Sequence, residues 1–223
     1  MVYVPAGDFL MGSKNGEGYD RERPQHTVYL DGYWIYKNEV TVAQYRNFCK
    51  TTGRNMPDPP NWGWKDDHPV VNVTWDEAKA YCEWAGAALP TEAQWEKAAR
   101  GTDGRIYPWG NDWDKTRLNS YQSGSTATTP VGNYPGGASP YGCLDMAGNG
   151  WQWCADWYDA TYYANSPARN PTGPATGTTR VLRGGSWFNL PACCRSAYRH
   201  DRDPFIPSFR GTTPTGSVAL VPR

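Results

Sequence analysis

The side chains best suited to chemistry are six cysteines, Cys49, Cys82, Cys143, Cys154, Cys193 and Cys194, and three histidines, His26, His68 and His200. Structural zinc sites gather such residues at short, fixed spacings. No Cys-x-x-Cys pair occurs here, so a zinc site is not expected. An even cysteine count permits disulfides, and buried free thiols are an equal reading where no signal peptide is visible. A second group of candidates follows Trp187. His200, Asp201, Arg202 and Asp203 are charged or titratable, and Phe188, Leu190, Phe205, Ile206 and Phe209 are apolar. Phe205-Ile206-Pro207-Ser208-Phe209 follows neither the period of 2 nor that of 3.6 which a core segment would show. Apolar side chains clustered and rimmed by charge make an interaction patch. The same stretch stands apart in composition: Lys, Glu, Gln, Met and Trp make up 35 of residues 1–187 and none of residues 188–223.

Composition narrows the classes further. Basic and acidic residues number 22 each, for a formal net charge of zero. Nucleic-acid-binding domains usually carry a basic excess, so no nucleic-acid partner is expected. No apolar run approaches the roughly 18 residues of a membrane span, and the N-terminus is not basic-then-apolar. Neither a transmembrane segment nor a signal peptide is expected, which leaves the cytoplasm or export by another route. The chain has 24 Gly, 19 Pro, 12 Trp and 15 Tyr. Such a sequence makes many turns, few long helices and cores of aromatic rings, and it carries too many aromatics for disorder. With no internal repeat or low-complexity linker, residues 1–223 read as one domain and as a monomer.

Around these residues the chain must build a frame. Residues 2–13 alternate and break at Pro5 and Gly7, which predicts short strands joined by a turn. Residues 14–24 are polar and Gly-rich, a loop. Residues 26–36 predict a strand pair with Asp31-Gly32 as its hairpin turn. Three helices are announced by Thr41-Val-Ala-Gln44, Thr74-Trp-Asp-Glu77 and Thr91-Glu-Ala-Gln94, each a capping box in which the Thr hydroxyl accepts the third helical N–H and the Gln or Glu reaches back. Each run then meets a glycine, Gly53, Gly86 or Gly101. Val42, Tyr45, Phe48 and Cys49 fall at helical spacing, as do Ala78, Tyr81, Cys82 and Ala85, giving one buried stripe each. Residues 55–64 are a Pro/Trp-rich loop. Residues 101–141 are a run of turns whose Trp and Tyr content predicts pinning by tertiary contacts. Gly148-Asn149-Gly150 is a tight turn into a strand of alternating Trp, and residues 180–187 are a strand that enters the C-terminal segment.

These motifs resemble the formylglycine-generating-enzyme/sulfatase-modifying family, a variant of the C-type-lectin fold. The resemblance rests on Pro5-Ala-Gly-Asp-Phe-Leu-Met-Gly-Ser13, Asn38-Glu-Val-Thr-Val-Ala-Gln-Tyr45, Pro69-Val-Val-Asn-Val-Thr-Trp75, Leu89-Pro-Thr-Glu-Ala-Gln-Trp-Glu-Lys-Ala-Ala-Arg100, Tyr107-Pro-Trp-Gly-Asn111, Asp145-Met-Ala-Gly-Asn149 and Arg183-Gly-Gly-Ser-Trp187. They run nearly the length of the chain in the family's order. The implied fold is α+β and C-type-lectin-like, with short antiparallel strands, about three helices and much irregular loop. The family's enzymes oxidise a substrate cysteine to formylglycine with two copper-binding cysteines a few residues apart after the Arg-Gly-Gly-Ser strand. Here Cys193 and Cys194 are adjacent and the earlier position holds no cysteine, so neither a catalytic pair nor copper is expected. The family also binds calcium near a Gly-Asn-x-Trp-Glu-Trp turn. Asn149 and Gln152 occupy the matching positions, Gln152 in place of a charged oxygen ligand, and they are the candidate calcium residues.

A narrower resemblance covers the C-terminus. Arg183-Gly-Gly-Ser-Trp187, a short stretch with a Pro, Arg195-Ser-Ala-Tyr-Arg199, four further residues and Pro204 look like the variable region of proteins diversified by a retroelement. In those systems template adenines are randomised. Varying the first two bases of an AAC codon never yields Lys, Glu, Gln, Met or Trp, the five types missing after Trp187. The resemblance implies a variable region over 188–217. Trp187, Arg195, Ser196, Ala197, Arg199 and Pro204 would anchor its backbone by packing and by Arg hydrogen bonds. Phe188, Asn189, Leu190, Ala192, Cys193, His200, Asp201, Arg202, Asp203, Phe205, Ile206, Ser208 and Phe209 would face the ligand, a protein or other macromolecule. The expected function is a ligand-binding protein of a diversity-generating retroelement, with hypervariable side chains on a stable scaffold. A formylglycine-generating oxidase is the alternative. A carbohydrate-binding lectin ranks third, because the sequence has none of the Glu-Pro-Asn, Gln-Pro-Asp or Trp-Asn-Asp motifs that calcium-dependent lectins use.

Overall fold

The computed structural model describes residues 1–206 and, beyond them, the short strands Ser217–Val218 and Val221–Pro222. At the N-terminus β1 (Val2–Val4) and β2 (Gly7–Met11) pair antiparallel with β4 (Tyr33–Ile35) and β3 (His26–Leu30) respectively, Val2 opposite Ile35 and Gly7 opposite Leu30. The hairpin expected at Asp31-Gly32 is thereby corrected. β3 and β4 do not pair with each other; the two ladders form one long ribbon, broken midway, whose true turn is the 12–25 loop. Pro5 has no N–H to continue the ladder at the break. Gly32 lies opposite, where the Tyr3 hydroxyl leaves no room for a Cβ.

The three helices, α1 (Val42–Thr52), α2 (Trp75–Trp84) and α3 (Glu92–Arg100), begin at Thr41, Thr74 and Thr91 with complete capping boxes. Each box satisfies two N–H groups that the first helical turn would otherwise leave unpaired. The stripe Val42, Tyr45, Phe48 and Cys49 is buried, as are Ala78, Tyr81 and Cys82 of α2, with Ala85 half-buried. Tyr45 stacks on Tyr81 with centroids 5.5 Å apart and Phe48 stands edge-on to both. Such ring pairs add about 0.5–1.5 kcal/mol each beyond the area they bury.

A four-stranded sheet runs β8 (His200–Arg202), β7 (Arg180–Arg183), β6 (Gln152–Trp157), β9 (Ser217–Val218), antiparallel except for β6 and β9. Successive residues of a strand face opposite sides. Trp153 and Leu182 accordingly join the core under α1 and α2. Cys154 and Val181 join a second core with Phe9, Val28 and Trp95. α3 lies in that second core and is buried almost all round, including Glu92, Glu96, Lys97 and Arg100. Lys97 Nζ donates to the carbonyls of Pro5 and Gly7, both at 2.8 Å, and so satisfies the break in the ribbon. A last pair joins β5 (Ala87–Ala88) to β10 (Val221–Pro222). The long stretch after α3 is pinned as predicted: Leu118, Asn119, Ser120, Thr128 and Ser139 are all buried. All six cysteines are free thiols, and only Cys193 is not fully buried.

Candidate functional site

The C-terminal segment leaves β7 through Gly184 and Gly185, at φ 93° and 76°. A Cβ on Gly185 would sit 3.0 Å from both the Cys193 carbonyl and the Cys194 Sγ, so the return of the chain over itself requires glycine. From there burial divides the residues by position. Trp187, Ser196, Ala197, Tyr198, Arg199 and Pro204 are buried. Phe188, Leu190, Phe205 and Ile206 are 42%, 56%, 73% and 47% exposed. Asn189, Ala192, Cys193, His200, Asp201, Arg202 and Asp203 are half-buried. Every described position expected to face a ligand thus reaches solvent at least in part; Ser208 and Phe209 lie outside the described residues.

Arginines hold this segment in place. Arg199 is 1% exposed, and its Nε and Nη2 donate to the two carboxylate oxygens of Glu92, each at 2.8 Å. Arg183, fully buried, donates to Glu92 at 2.8 Å, to Glu96 at 2.7 Å and to the Ser196 carbonyl at 2.5 Å. Burial works against both Glu96 and Arg199 as ions, yet Arg183 and Arg100 hold Glu96 below the usual carboxylate range, and Glu92 keeps Arg199 charged. Arg195 grips the buried Glu22 with both terminal nitrogens, at 2.8 and 2.6 Å. Paired, bidentate geometry of this kind is what makes buried charges tolerable.

Two of the half-buried side chains lean on the core. The His200 ring lies 5.0 Å from that of Trp151, and burial lowers its pKa, so it is neutral at pH 7. Cys193 packs against the core that holds Tyr198, whereas its neighbour Cys194 points into a separate cluster with Leu118 and Ala147. Burial raises the Cys194 thiol far above its ordinary value. A copper site of the family's kind needs two thiolates converging on one point. These two diverge, and the residues present do not fit it.

The Gly-Asn-Gly turn is fully engaged within the protein. Asn149 Oδ1 accepts from Asn119 Nδ2 (3.1 Å) and the Thr129 N–H (2.9 Å), and its Nδ2 donates to Glu39 (3.1 Å). Gln152 accepts from the Trp95 indole at 2.8 Å and donates to the Asp145 carbonyl at 2.7 Å. Its amide is a strut between α3 and the turn, not an open ligand. Among the described residues no three His, Cys, Asp or Glu side chains cluster together. Asp145 is pushed up to about 6 by burial, against the pull of the Gly132 N–H.

Residues outside the C-terminal segment border it as well. Tyr121 is 58% exposed and stands edge-on to Phe188, and Trp62 stands edge-on to Trp187. Tyr19 and Arg21 pack on Tyr198, Arg21 donating to its hydroxyl at 2.6 Å. Trp62 belongs to the Pro/Trp-rich loop, whose aromatic content was a signal. Tyr121 and Tyr19 lie in irregular loops where no periodicity points to them.

The family model for sulfatase-modifying factor enzyme 1-like domains matches residues 1–210. The formylglycine-generating enzyme of Streptomyces coelicolor is 38% identical over 267 residues, spanning 91% of this chain and 84% of that protein. The serine/threonine-protein kinase pkn1 of Chlamydia caviae is also 38% identical; the match spans 92% of this chain but 35% of the kinase. Among solved structures, PvdO from Pseudomonas aeruginosa superposes with a TM-score of 0.88 at 23% identity, over 98% of this chain and 92% of its own. Treponema denticola variable protein 1 gives 0.82 at 25% identity, over 100% and 94%. The fold is α+β and C-type-lectin-like, and the chain belongs to the sulfatase-modifying factor enzyme 1-like domain family.

Proposed function

We propose that this chain is a ligand-binding protein rather than an oxidase. In this reading, residues 188–217 present interchangeable side chains to a protein or other macromolecule, on a scaffold that works as a monomer. The observation that carries it is the division of burial along one short segment. Each expected anchor is buried or ion-paired, and each described residue expected to meet the ligand reaches solvent at least in part. Side chains at exposed positions can change without disturbing the core, which a hypervariable face requires. The likeness to Treponema denticola variable protein 1 supports the same reading. Sequencing the locus and its sibling copies tests it. Copies should differ almost only at the adenine-accessible positions named above, beside a reverse-transcriptase gene and a near-copy template repeat. Copies that differ evenly along the chain, or a locus without either element, would refute it.

The 38% identity to a formylglycine-generating enzyme favours a second reading, an oxidase acting on a substrate cysteine. Its test is turnover of a Cys-x-Pro-x-Arg peptide by copper-loaded protein. Formation of formylglycine would overturn the binding proposal. The diverging thiols of Cys193 and Cys194 argue for no turnover.

A further inference from the structure

We infer that the ligand face extends beyond the variable segment onto the fixed scaffold through Tyr121, and that it takes a protein partner by an apolar side chain. This rests on the binding reading above. Tyr121 opens the 3-10 turn Tyr121–Ser123. Its N–H donates to the Asn189 carbonyl at 3.1 Å, so turn and segment share one edge. The rings follow suit. Tyr121 meets Phe188 with centroids 6.0 Å and planes 82° apart; Phe188 meets Trp187 at 5.5 Å and 68°; Trp187 meets Trp62 at 5.4 Å and 87°. Four rings thus run in a herringbone from Trp62 to Tyr121, and Leu190 is exposed two residues beyond Phe188.

That geometry selects the occupant. Single-stranded nucleic-acid sites add to their stacking rings a positively charged groove that tracks the phosphates. Here the most exposed members of the row, Tyr121 and Phe188, are 58% and 42% exposed, and Leu190 beside them is 56% exposed, all uncharged. Such exposed apolar groups suit the contacts of an aromatic or branched aliphatic side chain. None of the four rings is charged and the chain's net charge is zero, so attraction to a polyanion supplies little. Protein interfaces place uncharged aromatic clusters of this kind at their centres.

The platform is also stiff, and Asn149 makes it so. Its N–H donates to the Asn119 carbonyl at 2.9 Å, and its own carbonyl accepts the Trp187 N–H at 3.1 Å. Completely buried, it ties the turn that carries Tyr121 to the strand exit that carries Trp187. Preorganisation cuts the ordering cost of binding. Of the four rings only Phe188 lies in the variable region, so Tyr121 offers the same contact whatever side chain stands at 188.

The test uses the full chain as bait for a phage-displayed random dodecapeptide library, with a glycan array and single-stranded oligonucleotides as parallel probes. Enriched peptides are expected to carry an aromatic or branched aliphatic anchor. They should lose roughly tenfold or more in affinity on Tyr121→Ala and keep it on Tyr121→Phe, at an unchanged melting temperature. Peptides weakened by Phe188→Ala but indifferent to Tyr121→Ala would overturn this inference and leave the binding face standing. Indifference to both substitutions would overturn both. Enrichment of no peptide, or a glycan or oligonucleotide whose binding depends on Tyr121, would overturn the protein partner.

Discussion

Replacing Glu92 by Ala removes the acceptor shared by two buried guanidinium groups. Arg183 Nη1 and Arg199 Nε both donate to one of its oxygens, and Arg199 Nη2 donates to the other, all at 2.8 Å. The variant leaves Arg199 only the carbonyls of Arg21 and Asp159, at 2.9 and 3.1 Å, and leaves Arg183 with Glu96. Breaking a buried pair strands a charge in low dielectric and costs about 3–5 kcal/mol. A domain of this size loses about 2–4 °C of Tm per kcal/mol, so Tm should fall by about 6–20 °C. The contrast is Asp66→Asn, whose partner Arg46 is 45% exposed and which is itself 67% exposed. Solvent and salt screen such a pair, and less than about 1 kcal/mol is expected. Urea unfolding followed by circular dichroism and by tryptophan fluorescence measures both variants, with midpoints compared at constant slope. A Glu92→Ala loss below about 1 kcal/mol, or one no larger than that of Asp66→Asn, would refute the claim that this ion network holds the segment.

Stability should also depend on pH through Asp156, which is pushed up to about 7 by burial and then by the charge of Glu92. Between the ordinary carboxyl range near 4 and pH 7 the folded state keeps a proton that the unfolded state releases, so this group makes stability fall as pH rises through that window. Asp156→Asn keeps an acceptor for the Glu92 N–H; it should raise Tm at pH 8, leave it unchanged at pH 4 and reduce the slope between, and an unchanged slope would contradict this. Leu190→Asp on the exposed face should change the unfolding free energy by no more than about 0.5 kcal/mol, whereas Ser196→Leu, at a fully buried position, should cost about 1–3 kcal/mol by overpacking; equal effects would undo the division between anchors and contacts. Thiol titration without reductant should count six thiols in the unfolded chain and at most one, Cys193, reacting promptly in the folded one; a count of four would mean a disulfide.

How far the sequence foretells this structure depends on the range of each interaction. The capping boxes at Thr41, Thr74 and Thr91 are complete within four residues, and they appear where the sequence places them. The stripes on α1 and α2 are legible for the same reason. Asp31-Gly32 is an equally local signal, yet it failed as a hairpin, because what decides that ribbon is Pro5, which lies across the break rather than beside it in sequence. α3 carries four charged side chains that any local reading would put in water. Glu96 and Arg100 do pair locally at i,i+4, but Gly12 for Glu96 and Arg199 for Glu92 lie 84 and 107 residues away, and no spacing rule reaches so far. Tyr121 was invisible on the same ground, since only folding brings its turn to Asn189.

The candidate site combines both kinds of information, and this explains its design. The change in residue types after Trp187 marks where the proposed contact segment starts, and Arg195 and Arg199 tie it to the scaffold. Arg195 and Arg199 stand between two groups that reach solvent at least in part, 188–193 before them and 200–206, apart from the buried Pro204, after. Each reaches inward to a carboxylate supplied by a distant part of the chain, Glu22 or Glu92. The ion pairs that hold the segment therefore lie in side chains that point inward, away from the exposed Phe188 and Phe205. A new residue at Phe188 or Phe205 changes the face and leaves those bonds intact, whereas a new residue at Arg195 or Arg199 strands a buried carboxylate or its partner. The side chains free to change and those that hold the fold thereby lie on opposite faces of one segment.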